Sequence, residues 1–272
     1  MNRIEIRNDN KSNKFHFEFD SSNNYVINWN DFVDTSVEFD IKENIEINLL
    51  ELGSNRSKNV KYHIARDARL KLTICSLEKA YDVEYSFVLD ENATIDAAYA
   101  DFDNGQKVCL FYFDLKGNYS SVNWHLASLS CKEDKKEFKV SFDHTATNTS
   151  AMMNNYGVCE NDAHLTFSGV GHIYKNAKRT KTHQNAKIMV FDEKCNAKAC
   201  PILCIDENDV EASHAATVGK VSDEHLFYLC SRGITETDAK RLITLGYLNP
   251  IIKYFDDEEI SSLIGKTIEG RV

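Results

Sequence analysis

The residues best suited to metal or redox chemistry gather late in the chain. Cys195, Cys200 and Cys204 form a Cys-x4-Cys-x3-Cys cluster, and His214 follows in Ala212-Ser213-His214-Ala215-Ala216-Thr217. Thiolates at such intervals can hold iron. Against ligation, Cys200 and Cys204 share strand parity across Pro201-Ile202-Leu203, and free cysteine is among the most buried residue types, so packing is the expected role. A zinc site would lack a second cysteine pair or a close histidine. Small neighbours leave the imidazole of His214 room to reach a metal or a partner's surface, whereas a histidine taken alone is more often a hydrogen-bonded structural residue. His144, in Phe142-Asp143-His144-Thr145-Ala146-Thr147, and His183-Gln184-Asn185 carry the same two readings.

Other chemistries are excluded by what is missing. There is no phosphate loop, no Gly-x-Ser-x-Gly elbow and no His-Glu-x-x-His pair, and Gly169-Val170-Gly171-His172 lacks the lysine and helix start of a nucleotide site, so it reads as a tight corner. A net charge of −10 opposes general binding to nucleic acid or anionic membrane. The basic run Lys175 to Lys181 reads as a solvated face. No apolar run approaches the ~18 residues of a membrane span, and Met1-Asn2-Arg3-Ile4-Glu5 lacks a signal peptide's apolar stretch. A cytoplasmic location is the expectation. The 8 irregularly spaced cysteines are then expected to be reduced thiols.

The elements that must position these residues are strands for most of the length. Lys14 to Phe19, Tyr25 to Ile27 and Val37 to Ile41 alternate at period two, which puts Phe15, Phe17 and Phe19 on one face. From Asn59 to Ala212 a polar turn carrying Asn or Asp, often followed by Ala, precedes an alternating strand: Asp67-Ala68, Asn92-Ala93, Gly117-Asn118, Asp162-Ala163, Asn176-Ala177, Asn196-Ala197 and Asn208-Asp209. One turn plus one strand per unit is the pattern of a β-solenoid, in which each rung buries its inner face by stacking on the next. A β-sandwich also uses short alternating strands, but the hairpin signature Asn-Gly or Asp-Gly occurs only at Asn104-Gly105. The expected domains are a β lead-in over residues 1–50, a β-helix core over 51–219 and a helical domain over 220–272.

The helical domain begins after Gly219. Ser222 is the expected N-cap of a first helix with Asp223 and Glu224 in its first turn and Gly233 at its left-handed end. A second helix is expected from Thr235, capped with Asp238, to Gly246. A short third follows Pro250 to near Phe255, and Asp256 with Glu259 caps a last one to Ile268.

Four blocks in order carry a family resemblance. They are Asp143 to Ser150 with a Gly157 rung; His183-Gln184-Asn185 with Ile188-Met189-Val190; Cys200 to Ile205 leading to Asp209-Val210; and Ser213 to Gly219 leading to Leu226 to Ile234. This segment resembles the core and C-terminal region of the SufB/SufD family, which assembles iron–sulfur clusters. The resemblance implies a mostly β protein, a right-handed parallel β-helix with a small C-terminal α-helical domain. It also implies a non-catalytic scaffold subunit that pairs with a SufB-like subunit through its β-helix and docks a SufC-like ATPase through Leu226, Phe227, Tyr228, Arg232 and Ile234.

The resemblance also bears on paralogue and ligands. SufB-like members have acidic residues flanking the histidine and a cysteine after the glutamine, whereas here Ser213 and Ala215 flank His214 and Asn185 follows Gln184, as in SufD. Ala212 stands where SufD-like members often have cysteine, so His214 is expected to give at most one ligand at an inter-subunit site. No cofactor is expected to bind this chain stably by itself; a transient cluster or iron at the subunit interface is. Strands start almost at once, so the family's N-terminal helical domain is expected to be missing. The alternatives are a homodimeric scaffold using Cys195, Cys200, Cys204 or other cysteines, and a purely structural adaptor.

Overall fold

The computed structural model describes residues 2–3, 15–31, 36–53 and 56–272. Among the described residues the strands fall alternately into two sheets, one of 9 strands and one of 8, and every strand between the sheet ends pairs in parallel with the strands two before and two after it. This is a parallel β-solenoid with two walls per rung. The rungs lengthen along the chain: Phe15 pairs with Val37, 22 positions on, and His164 pairs with Asn196, 32 positions on.

The corners explain the repeat seen in the sequence. Asp67, Asn92, Asn161 and Asn176 take positive φ, where Asn and Asp are the tolerated side-chain-bearing residues, and the alanine one or two places on (Ala68, Ala93, Ala163, Ala177) is fully buried. Each of those alanines donates its N–H to the carbonyl three residues back, as in Ala68 to Ala65 at 3.2 Å. The small side chain turns the corner without a clash, and its hydrogen bond closes the turn.

Period two then fills the interior. Phe39, Tyr62, Phe87, Phe113 and Phe142 share one register row and stack with centroids 4.9, 5.3, 4.5 and 5.4 Å apart. Phe19 is completely buried, with Phe15 and Phe17 partly so, as their alternation requires. Asn196-Ala197 is not a corner: Asn196 opens the strand Asn196–Ile205. Gly169 and Gly171 also lie within a strand, His164–Ile173, with their Cα positions facing inward, so the expected tight corner is absent there.

Three α-helices follow: α1 (Asp223–Ser231), α2 (Glu236–Leu248) and α3 (Glu258–Arg271), with a 3-10 turn at Asn249–Tyr254. Thr235 caps α2 by accepting from Asp238 N, and Gly233 takes φ +86°. Three details differ from expectation, besides α3 running on past Ile268 to Arg271. Ser222 precedes α1 but makes no side-chain cap; α2 runs past Gly246 to Leu248; and Asp257, not Asp256, caps α3 by accepting from Glu259 N and Ile260 N. The helices fold back over the outer face of the larger sheet, where Leu248, Ile251, Phe255, Ile264 and Ile268 bury against Ala98, Phe102, Ala127 and Leu129. Among the described residues no helix is long and apolar enough to cross a membrane.

Candidate functional site at the open end of the solenoid

The last strand of each sheet, Asn196–Ile205 and Val210–Lys220, is an edge with a partner on one side only. Neither contains a fully buried residue. Ile202, Ile205 and Val218 are 49, 44 and 45% exposed. Edge strands of 10 and 11 residues with exposed apolar side chains are what native proteins ordinarily shield, because their unpaired N–H and C=O groups template pairing with another chain.

Register fixes which side chains look along the axis. His214 pairs with Gln184, whose side chain is buried inside, so His214 stands on the inward side of the open rim. Cys200 pairs with Ser168 and Cys204 with His172, both on the outer face, and both cysteines are exposed. Packing, the role expected of these two thiols, is therefore not what they do: the parity they share is the outward one. Cys195 differs, since it packs against the solenoid core and its Sγ donates to Asn161 O at 3.4 Å. The three cysteines therefore do not converge. Among the described residues, three His, Cys, Asp or Glu donors gather within 4.8 Å of one another only at His16, Glu18 and Asp40, the first two exposed and the third half-buried, on early rungs where Lys42 already pairs Glu18 at 3.1 Å.

Behind His214 the interior changes character. The aromatic row through Phe142 ends at Gly171, Gly169 follows Val140 in the neighbouring row, and the side chain of Gln184 occupies the space, donating from Nε2 to Ile202 O at 3.1 Å. Gln184 Oε1, Thr182 Oγ1 and His144 Nε2 are buried without a hydrogen-bond partner among the described residues. His144 Nδ1 meets Thr149 Oγ1 at 2.8 Å, which meets Thr180 Oγ1 at 3.0 Å. Burial pushes the His144 imidazole down to about 4, so near neutral pH it is an uncharged group. His183 faces outward, its Nδ1 2.7 Å from Ser213 Oγ.

The helical surface divides in the same way. Leu226 packs on the core beneath the helices and Ile234 is half-buried, whereas Phe227 and Tyr228 are 75 and 56% exposed and the Arg232 guanidinium lies 4.9 Å from the Tyr228 ring centre. α1 contains no buried residue.

Two buried charge networks escaped the sequence reading. Glu51 accepts from Trp29 Nε1 at 2.6 Å and from the hydroxyls of Tyr62 and Tyr85 at 2.5 Å, and Lys58 Nζ lies 3.6 Å from it. Lys107 and Lys136 bridge Asp101 and Asp103 in the interior. The available signal was a charged residue at inward parity: Lys107 and Lys136 each fall between exposed neighbours in strands that otherwise alternate. The geometry is that of interior ion pairs satisfied by each other, so neither network is a candidate for ligand chemistry.

A family model described as the SUF system FeS cluster assembly, SufBD core domain, matches residues 24–247. The chain belongs to the SufB/SufD core-domain family. SufD of Bacillus subtilis is 34% identical over 140 residues, 52% of this chain and 32% of that protein. SufB of the same organism is 28% identical over 190 residues, 68% of this chain and 40% of that protein. A SufBD family protein of Staphylococcus haemolyticus is 30% identical over 132 residues, 47% and 28% of the two chains. The chain thus aligns with less than half the length of each of these relatives. The SufBD match includes the open rim, His214 and α1. The higher identity to SufD than to SufB accords with Ser213 and Ala215 around the histidine and Asn185 after Gln184.

Proposed function

We propose that the chain is a SufD-like, non-catalytic subunit of a cytoplasmic iron–sulfur cluster assembly scaffold, closing its open rim against a SufB-like partner and docking a SufC-like ATPase on α1. The observation that carries this reading is the pair of exposed edge strands with His214 set inside the rim. A partner solenoid laid edge to edge continues both sheets, covers Ile202, Ile205 and Val218, and meets the His214 imidazole. That imidazole is the donor this chain brings to the inward side of the rim, since Cys200 and Cys204 face outward. The cluster is then cargo, with its thiolates from the partner. Phe227 and Tyr228 on α1, with Arg232 just after its end, form an exposed aromatic and guanidinium patch of the composition that dominates interface energetics.

The test is co-expression with SufB-like and SufC-like proteins. Wild type is expected to pull down both. Phe227→Ala with Tyr228→Ala is expected to lose the ATPase and keep the SufB-like subunit, and His214→Ala to keep both while lowering cluster assembly. Stable thiolate charge-transfer bands on the isolated chain after anaerobic reconstitution would instead favour a self-contained scaffold, and failure to capture either protein a structural adaptor.

A further inference from the structure

Cys159 and Cys195 meet at one corner of the last rungs. Cys159 ends the strand Ser150–Cys159 in register with Val190, and Cys195 closes the turn that follows Val190, its N–H bonded to Asp192 O at 3.2 Å. Cys159 Sγ donates to Ala163 O at 3.2 Å and Cys195 Sγ to Asn161 O at 3.4 Å, so both thiols are held against the same short turn. Asn196 N also donates to Ala163 O, at 3.0 Å, which draws the backbone next to Cys195 onto that turn. Each sulfur is among the groups that act on the other's thiol across the turn at 161–163 that both hold. Cys159 is fully buried, while Cys195 is partly exposed at the open end.

We propose that Cys159 and Cys195 form a reversible disulfide, Cys195 reacting first with a low-molecular-weight disulfide and Cys159 resolving the product. In the first step the Cys195 thiolate attacks one sulfur of the reagent, forming a mixed disulfide and expelling one reagent thiolate. In the second, Cys159 attacks the Cys195 sulfur and expels the second reagent thiolate, which takes up the Cys159 proton. Two protein thiols are oxidised and one reagent disulfide is reduced to two thiols. The asymmetry of access assigns the order, because a reagent reaches Cys195 and only Cys195 reaches Cys159. Burial raises both thiols, so the reaction quickens as pH rises. The bond staples two successive rungs next to the rim.

Oxidation of the full 272-residue chain with glutathione disulfide, acid quenching, alkylation and peptide mass mapping test this. The expected product joins the Cys159 and Cys195 peptides, while Cys75, Cys109 and Cys131 alkylate as free thiols. Cys195→Ser is expected to leave Cys159 free, and Cys159→Ser to leave a stable glutathione adduct on Cys195. Cys159→Ala serves the same purpose if serine unsettles the core, with circular dichroism reporting that each variant is folded. A free Cys159 in oxidised wild type, or Cys195 joined to Cys200 or Cys204, overturns the proposal.

Discussion

Gly171 and Gln184 face each other inside the solenoid, so closely that a Cβ on the glycine would lie 2.9 Å from Gln184 Nε2. Phe142, one rung earlier in the same row, is an aromatic ring; a glycine after it lets a polar side chain from the opposite wall cross the interior. That exchange puts an amide directly behind His214, and it replaces a row of stacked rings with a polar group just short of the rim.

The glycine therefore has a measurable role. Gly171→Ala is expected to displace the Gln184 amide and to destabilise by ~1–3 kcal/mol, the usual range for overpacking. Gly117→Ala is expected to cost more, because its Cβ would lie 2.0 Å from the backbone carbon of Asp90, which cannot rotate away as a side chain can. Urea midpoints of the two variants at equal slope check the order. Equal destabilisation would show that Gln184 is as fixed as backbone.

Lys58 gives the stability an alkaline dependence. Burial, outweighing the attraction of Glu51, pushes its ammonium down to about 7 from 10.5. Between these values the unfolded chain binds a proton that the folded chain does not, so the Lys58 contribution to stability rises with pH across that window, by up to ~1.4 kcal/mol per pH unit. Below about 7 both states are protonated and the contribution stays at its lowest. Lys58→Met removes the titration while keeping the length of the side chain. The stability of wild type minus that of Lys58→Met, from urea unfolding at several pH values, is expected to climb with pH; a constant difference would count against the assignment.

The solenoid was legible because its corners repeat a physical requirement: a residue tolerant of positive φ, then a small one that buries, as at Asn92-Ala93. The position of His214 at the end of the strands was legible for the same reason. Which way Cys200 and Cys204 point was not, since period two shows only that they share a face, and the face is set by pairing with Ser168 and His172 on another rung. Gly169 and Gly171 misled because a glycine pair usually marks a turn, whereas here they make room for a side chain thirteen to fifteen residues ahead in sequence and across the interior in space. Of the interior lysines, Lys136 was hidden by long-range pairing with Asp101 on the opposite wall, whereas the partners of Lys107, Asp101 and Asp103, lie only six and four positions before it, and the two elements that meet there are brought together by the fold.

Arg271 fastens the end of α3 to the solenoid. Its guanidinium donates to Phe102 O at 2.8 Å, to Leu129 O at 3.3 Å and to Asp103 O, and it pairs the nearly buried carboxylate of Asp134. Asp134 in turn accepts from Gly105 N at 2.7 Å and Cys131 N at 2.9 Å, so the arginine ties the helix to two corners at once. Removing it leaves that carboxylate with its backbone donors but no counter-charge and takes one donor from each of three carbonyls, of which Asp103 O and Leu129 O keep Lys136 Nζ at 2.8 and 3.0 Å. Because Ile264 and Ile268 still bury, Arg271→Ala is expected to loosen α3 and not to unfold the solenoid. Hydrogen bonds to a charged group are worth ~1.5–3 kcal/mol, which corresponds to roughly tenfold to a hundredfold faster amide exchange in α3. Arg271→Lys is expected to recover part of the protection, since an ammonium lacks the planar fork that reaches several acceptors together. Hydrogen exchange followed by mass spectrometry reads this directly: α3 peptides should lose protection while those from the strand Ser121–Ser130 keep theirs, and equal loss in both would mean that the arginine supports the solenoid as a whole.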